Sequence, residues 1–347
     1  MLHRFLIFFS CFLTVFMFIN SSFLVKTSAQ EMDAPFSVEA ILPDMQMEGV
    51  SGYYHLQVNP GDDQTVFARI QNKRNHDITV HVLPLNSYTA PTGGILYEES
   101  TESENTKLLE NATLMSELLV VEPFIELSGN ETVEVPIHIS VPDTDEGTFL
   151  GGLLFAAVGE DTLEEMEDQG EEEGDIGFII RNEITFTLAV QLDLPNTPTQ
   201  NFAMGDVGMN IHPSGPEMYM EFINGAQMIL RGTHGYYRVE NESGEELFAG
   251  DFEAFTMVPY SEIRFPVPWE HDALEPGQYH VFISANVLNE EVTAERTLEI
   301  EGEQVREYEE IRKDATEQTP TGIPVWVWVI GGVVVAVFFY WLGARRK

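Results

Sequence analysis

The chain of 347 residues has a single cysteine and few basic side chains, 17 Lys and Arg against 57 Asp and Glu. Cys11 falls in an N-terminal apolar run, so the rest of the chain has no thiol for a disulfide, a nucleophile or a thiolate metal site. Its neighbours Phe8, Phe9 and Ser10 are unlike a lipoprotein cleavage box. A formal charge of −40 excludes a nucleic-acid binder, which needs a basic face to neutralise phosphates, and disfavours docking on anionic lipid. Catalytic signatures are missing too. No HExxH helix, GxSxG elbow, P-loop or GxGxxG occurs, and His55, His76, His81, His138, His212, His234, His271 and His280 share no helical metal-ligand spacing with carboxylates. Glu270-His271-Asp272 comes nearest to a constellation and reads as solvated charge in a loop. The sequence thus points to a protein that is not an enzyme and uses no cofactor or metal.

The ends of the chain indicate where it works. Arg4, the apolar residues 5–19 and Thr27-Ser28-Ala29 follow the charged, apolar and small-residue order of a secretory signal peptide, cleaved after Ala29; an N-terminal anchor is the other reading. Residues 323–342 form a charge-free run of 20, and a helix of that length spans about 30 Å, the thickness of a hydrocarbon core. Trp326, Trp328, Tyr340 and Trp341 flank this run at interfacial depth, and Arg345, Arg346 and Lys347 form a basic tail over 343–347. The expectation is a single-pass cell-membrane protein with its C-terminus cytoplasmic and its ectodomain in the cell wall. Setting aside Arg4, Lys26, Arg345, Arg346 and Lys347 leaves 12 Lys and Arg against 57 acids, about −45 outside the membrane.

Between the ends the pattern is β. Val133, Val135, Ile137, Ile139 and Val141 alternate with Glu134, Pro136, His138 and Ser140, the period-two signature of a half-buried strand, with Pro136 suggesting an edge or bulge. Val66, Ala68 and Ile70 repeat the pattern, as do Ile78, Val80 and Val82, with turn residues around Asn59-Pro60-Gly61-Asp62 and Asn75-His76-Asp77. Only 106–119 looks weakly helical, or else is a long loop. Residues 160–175 carry ten carboxylates among 16 and read as a loop; a calcium site is the alternative, although no Asp-x-Asp-x-Asp-Gly spacing is present. Pro195-Asn196-Thr197-Pro198 marks a linker, after which Met218, Met220, Phe222 and then Ile263, Phe265, Val267 alternate again. The expected fold is all-β: two immunoglobulin-like β-sandwiches, at 34–194 and 200–303, an acidic stalk over 304–322, and one C-terminal transmembrane helix. Tyr53, Tyr54 and Trp269 are candidate binding aromatics whose other reading is core packing.

Phe36-Ser37-Val38, Pro43-Asp44-Met45-Gln46, Tyr53 to Gly61, Arg69-Ile70-Gln71-Asn72, Thr92 to Tyr97 and Phe149-Leu150-Gly151-Gly152-Leu153-Leu154-Phe155 together resemble the peptidoglycan-binding domain of the WxL-interacting proteins of Gram-positive bacteria. Met257 to Pro266 and Leu274-Glu275-Pro276-Gly277-Gln278-Tyr279 are similar to the host-binding domain of that family. The resemblance implies a non-enzymatic surface scaffold whose partners are WxL-domain surface proteins, peptidoglycan and host extracellular matrix. It assigns no binding residue. The competing expectations are a Ca²⁺-tuned adhesin or structural stalk, and a cell-wall hydrolase.

Overall fold

The computed structural model describes residues 34–318 apart from 92, 100–104, 159–183 and 272. Ala29 with the expected signal segment, the acidic stretch 160–175, and 323–342 with Trp326, Trp328, Tyr340, Trp341, Arg345, Arg346 and Lys347 all lie outside the described residues. Among the described residues no helix is long and apolar enough to cross a membrane.

In chain order the strands are β1 (Phe36–Ile41), β2 (Tyr54–Gln57), β3 (Asp63–Asn72), β4 (Ile78–Thr89), β5 (Ile95–Glu98), β6 (Thr106–Leu108), β7 (Leu119–Val120), β8 (Phe124–Leu127), β9 (Thr132–Ser140), β10 (Thr148–Val158) and β11 (Thr185–Asp193). They continue with β12 (Phe202–His212), β13 (Gly215–Asn224), β14 (Leu230–Asn241), β15 (Glu246–Met257), β16 (Ser261–Pro268), β17 (Gly277–Val287) and β18 (Glu290–Ile300).

The first sandwich faces a sheet ordered β1-β3-β9-β7 against one ordered β2-β11-β10-β4-β5, with β8 also on β4. Alternation puts Val66, Ala68 and Ile70 of β3, and Val135, Ile137 and Ile139 of β9, into the shared core, leaving Phe67, Arg69, Glu134 and His138 outside. Pro136 stands opposite Phe67, on a strand whose other edge is paired by β7 only at Ile139 and His138, so its missing N–H costs no ladder bond there. Strand β10 is apolar on both faces. Leu153 and Phe155 enter the core while Leu154 and Ala156 lie half-buried on the outer face, as suits a central strand.

The second sandwich repeats this frame with the order β12-β13-β16-β6 facing β15-β14-β17-β18. Met218, Met220, Phe222, Ile263, Val281 and Ile283 fill its core, where Phe222, Phe252, Phe255 and Phe265 lie with ring centroids 5.2–6.3 Å apart. Each sandwich pins one corner with the same device. Asn72 ends β3 fully buried; its Nδ2 donates to the carbonyls of His76 (2.8 Å), Leu127 (3.3 Å) and Ser128 (2.9 Å), and its Oδ1 accepts from the Arg74 N–H. Asn224 ends β13, also fully buried, donates to the carbonyls of Met228 (2.8 Å) and Val258 (2.8 Å), and accepts from the Ala226 N–H.

The stretch expected as helix or loop at 106–119 is neither. Thr106–Leu108 is a strand of the second sandwich, pairing with Ser261–Ile263, and only Met115–Leu118 makes a helical turn before β7 returns to the first. Three residues are too few to show a period, and their partner lies some 155 positions away. Buried polar groups reinforce the junction. The Val258 N–H donates to Thr89 Oγ1 (3.1 Å), Ser261 Oγ donates to the Val258 carbonyl (2.8 Å), and all three residues are at most 0% exposed. The Thr148 N–H donates to the Gln227 carbonyl and Gln227 Nε2 donates back to the Thr148 carbonyl, each at 2.7 Å.

The charged segment expected as a stalk is, where described, the helix Gly302–Gln318, rich in the good helix formers Glu, Gln, Arg and Lys. It rests Val305 and Tyr308 on the second core, and Gln304 Nε2 donates to the Met209 carbonyl (3.1 Å).

Candidate functional site

The loop before β2 is shaped by one side chain. Gln46 Nε2 donates to the carbonyls of Val50 (3.2 Å) and Tyr53 (3.0 Å), and its Oε1 accepts from the His55 N–H (3.1 Å). With the Met47 N–H on the His55 carbonyl (2.7 Å) and the Gln57 N–H on the Met45 carbonyl (3.1 Å), the loop folds back along β2. Strand β2 then pairs parallel to β11, which sets His55 beside Gln191 and Gln57 beside Asp193.

This pairing assembles a polar cluster. His55 Nε2 lies 2.6 Å from Asp193 Oδ2, while Asp193 Oδ1 accepts from Thr148 Oγ1 (2.8 Å) and Gln191 Nε2 (3.0 Å). Both oxygens of the carboxylate are therefore engaged, which holds Asp193 in one orientation and leaves it poorly placed to act as a general base. The other ring nitrogen, His55 Nδ1, is buried and has no hydrogen-bond partner among the described residues. Tyr53 stacks beside the imidazole, centroids 6.1 Å apart and planes 16° from parallel.

Beside the cluster opens a cleft of about 500 Å³, within the range of ligand pockets, lined by Gln57, Asn59, Thr148, Asp193, Asn196 and Thr197 among others, with apolar walls from Met47, Val58, Leu194 and Pro198. Its floor is Gly147, whose φ of 120° and crowding suit no other residue: an added Cβ would lie 2.5 Å from Gln227 Cγ. Gly147 also links the parts, its N–H on the Asn196 carbonyl (3.0 Å) and its carbonyl on the Leu194 N–H (2.9 Å). The lining offers amides, hydroxyls and a fixed carboxylate over apolar patches, a surface that can hold a ligand with hydroxyl or amide edges and C–H faces. Among the described residues no group of three or more His, Cys, Asp or Glu is arranged to hold a metal.

Two of the three aromatic candidates are core residues. Tyr54 is 0% exposed and donates its hydroxyl to the Phe67 carbonyl (2.6 Å), with burial pushing its phenol well above the usual range. Trp269 is 8% exposed, edge-on to Phe248 and Tyr279 (5.0 and 5.3 Å), with Nε1 on the Ala273 carbonyl. Neither presents a ring to a partner, because inward alternation in β2 takes Tyr54 and the end of β16 folds Trp269 under β15. Only Tyr53 stays half-exposed. Asp193, Gln191 and Thr148 escape sequence reasoning altogether, since they converge on His55 from 93 or more positions away; the one hint is the linker 195–198, which forms a wall of the cleft.

Comparison with known proteins adds a family. The model of the WxL-interacting protein peptidoglycan-binding domain matches residues 36–157, and that of the host-binding domain of the same proteins matches 175–310. No curated protein matches the sequence. Similar solved structures include the CsuC–CsuE chaperone–tip adhesin complex of Acinetobacter baumannii, at 9% identity and a TM-score of 0.33, covering 77% of this chain and 100% of that one. The E. coli chaperone DraB follows at 12% identity and 0.29, covering 77% and 98%. The Salmonella enterica SafA pilin with its SafB chaperone scores 12% and 0.29, covering 76% and 97%. Likeness at this level carries no argument about function. The family matches do set one boundary against the structure: β11 lies in the segment matched by the host-binding model, yet it is a strand of the first sandwich, and β6 lies in the peptidoglycan-binding segment, yet it is a strand of the second.

Proposed function

The chain belongs to the family of WxL-interacting proteins, and on that premise we propose that it is a non-enzymatic binding protein of the cell surface that takes peptidoglycan in the cleft beside His55 and Asp193. The observation that carries this reading is the cleft itself, whose alternation of amides, hydroxyls and apolar walls suits a glycan strand with peptide stems. Its lining includes one carboxylate, already held by hydrogen bonds, whereas glycoside hydrolysis ordinarily uses a pair; this favours binding over cleavage. A net charge of −40 repels anionic wall polymers, so affinity would rest on such short-range contacts rather than on attraction at a distance.

The same reading includes a WxL-domain partner, host matrix as a ligand of the second sandwich, and anchorage through the charge-free run 323–342. The cleft is tested by sedimenting the full chain with peptidoglycan sacculi. Gln57→Trp and Thr197→Trp place a ring in the cleft from exposed or half-exposed positions and leave both cores intact. Retention of the unaltered chain, with a loss of about tenfold in either variant at an unchanged melting temperature, is expected. Retention that is absent in the unaltered chain, or undiminished in both variants, rules the cleft out.

A further inference from the structure

One strand edge in the second sandwich is long and regular. Strand β18 pairs with β17 through Glu290–Ile300 without a register shift, and among the described residues nothing pairs with its other side. The remaining outer strands are blunted. Strand β15 has three register shifts against β14 and β12 has one between Met204 and Val207, while β7 and β6 span two and three residues, and the strands they only partly cover, β9 and β16, carry Pro136 and Pro266 with Pro268. Strands β1 and β5 span six and four residues. Bulges, prolines and shortness are the usual means by which edges avoid pairing with other chains, and β18, eleven residues long, uses none of them.

The first sandwich shows what such an edge can hold. Strand β11 occupies the place in its sheet that β18 occupies in the second, and it carries β2 on its outer side, Tyr54–Gln57 alongside Val190–Asp193. We propose that β18 takes up an extended segment of a partner polypeptide, and that this segment bears Lys or Arg at alternate positions.

The charge of the edge selects the occupant. Glu291, Thr293, Glu295, Thr297 and Glu299 are all exposed on one face, while Val292, Ala294, Leu298 and Ile300 turn inward. Glu291 accepts from Ser284 Oγ (2.8 Å), and among the described residues no Lys or Arg pairs with Glu295 or Glu299. The guanidinium of Arg296 turns inward and is committed to the carbonyls of Gly205 (2.7 Å) and Met204 (2.5 Å) at the bulge of β12 and to the carbonyl of Glu295 (2.9 Å) on β18 itself, so it does not neutralise the carboxylates of the outer face. Opposite charges across a strand pair stabilise it and like charges oppose it, so the edge rejects a second copy of itself and favours a basic strand. Backbone bonds to the edge would supply affinity and the alternate side chains specificity. The proposal concerns the second sandwich alone and stands whether or not the cleft of the first binds peptidoglycan.

The test uses the full chain and two labelled, end-capped decapeptides of equal charge, one alternating Lys and Val, the other alternating Lys and Pro, which cannot form a ladder. At about 0.15 M salt, where undirected attraction fades beyond roughly 8 Å, the Lys-Val peptide is expected to bind at least about tenfold more tightly and to slow amide exchange in 290–300. The double variant Glu295→Lys, Glu299→Lys alters only exposed side chains, so it should fold normally and lose this preference. A second variant, Thr293→Pro, should lose it through the backbone. Equal binding of the two peptides, exchange protection elsewhere, or an unaltered preference in the folded lysine variant overturns the proposal.

Discussion

The two sandwiches are built on one frame and differ by an addition. Strands β1, β3 and β9 of the first correspond in order to β12, β13 and β16 of the second, and β4, β10 and β11 correspond to β14, β17 and β18. Even the corner is the same: a buried Asn at the end of a strand, six positions before the next strand, bonded to the carbonyl four residues ahead. What the first sandwich has in excess is the loop held by Gln46 and strand β2. That addition covers the edge of β11, brings His55 to Asp193 and shapes the cleft. In the second sandwich the corresponding edge stays open. The frame is therefore generic, and the difference in chemistry between the halves comes from what is placed at one edge.

The comparison breaks most completely if the halves are separated at the boundaries of the family matches. A segment of 36–157 lacks β11, and one of 175–310 lacks β6 while carrying a stray β11. Neither is expected to show a cooperative thermal transition by circular dichroism, whereas 34–318 should melt as one unit. A smaller effect comes from the corner residues. Asn72→Ala removes the amide that bonds three carbonyls, that of Leu127 buried, and the acceptor of the Arg74 N–H, and should cost about 3 kcal/mol in urea unfolding. Asn224→Ala strips two carbonyls and one N–H, so a loss of about 2 kcal/mol is expected; a reversed order would show that the two corners are not equivalent.

The smallest effect is one of pH. Burial pushes the phenols of Tyr88 and Tyr97 in the first sandwich up to about 12, and that of Tyr54 further, whereas Tyr237 and Tyr279 of the second are raised less far. The folded chain thus keeps protons that the unfolded chain releases near pH 10. These groups contribute fully below about pH 10 and their contribution is lost as pH rises toward 12. Tyr97→Phe should leave the midpoint at neutral pH nearly unchanged and flatten the alkaline decline, as measured by urea midpoints between pH 8 and about 11. An equally steep decline in that variant would assign it to other groups.

Much of the frame could be read in advance because it is written in period two. Val133 to Val141, Val66 to Ile70 and Met218 to Phe222 show alternation strong enough to mark strands and their inner faces. The aromatics were ambiguous, since one ring serves equally as core filler and as contact; the phase of β2 decides for Tyr54 and against Tyr53. The site itself was not legible. His55 and Asp193 are 138 positions apart, and a hydrogen bond between distant polar residues leaves no periodic trace. Thr106–Leu108 was hidden for a related reason: its strand character comes entirely from the partner edge of β16.

The exchange of β6 and β11 also bears on inheritance. Domains with separate cores are ordinarily free to be recombined or traded. Here a crossover between them would yield a product with one sheet a strand short. A foreign domain spliced in at residue 175 would arrive without β11, stripping the neighbour of the strand on which its cleft is built. The interleaving ties the two halves into a single unit of descent, so that selection on either one is transmitted to both.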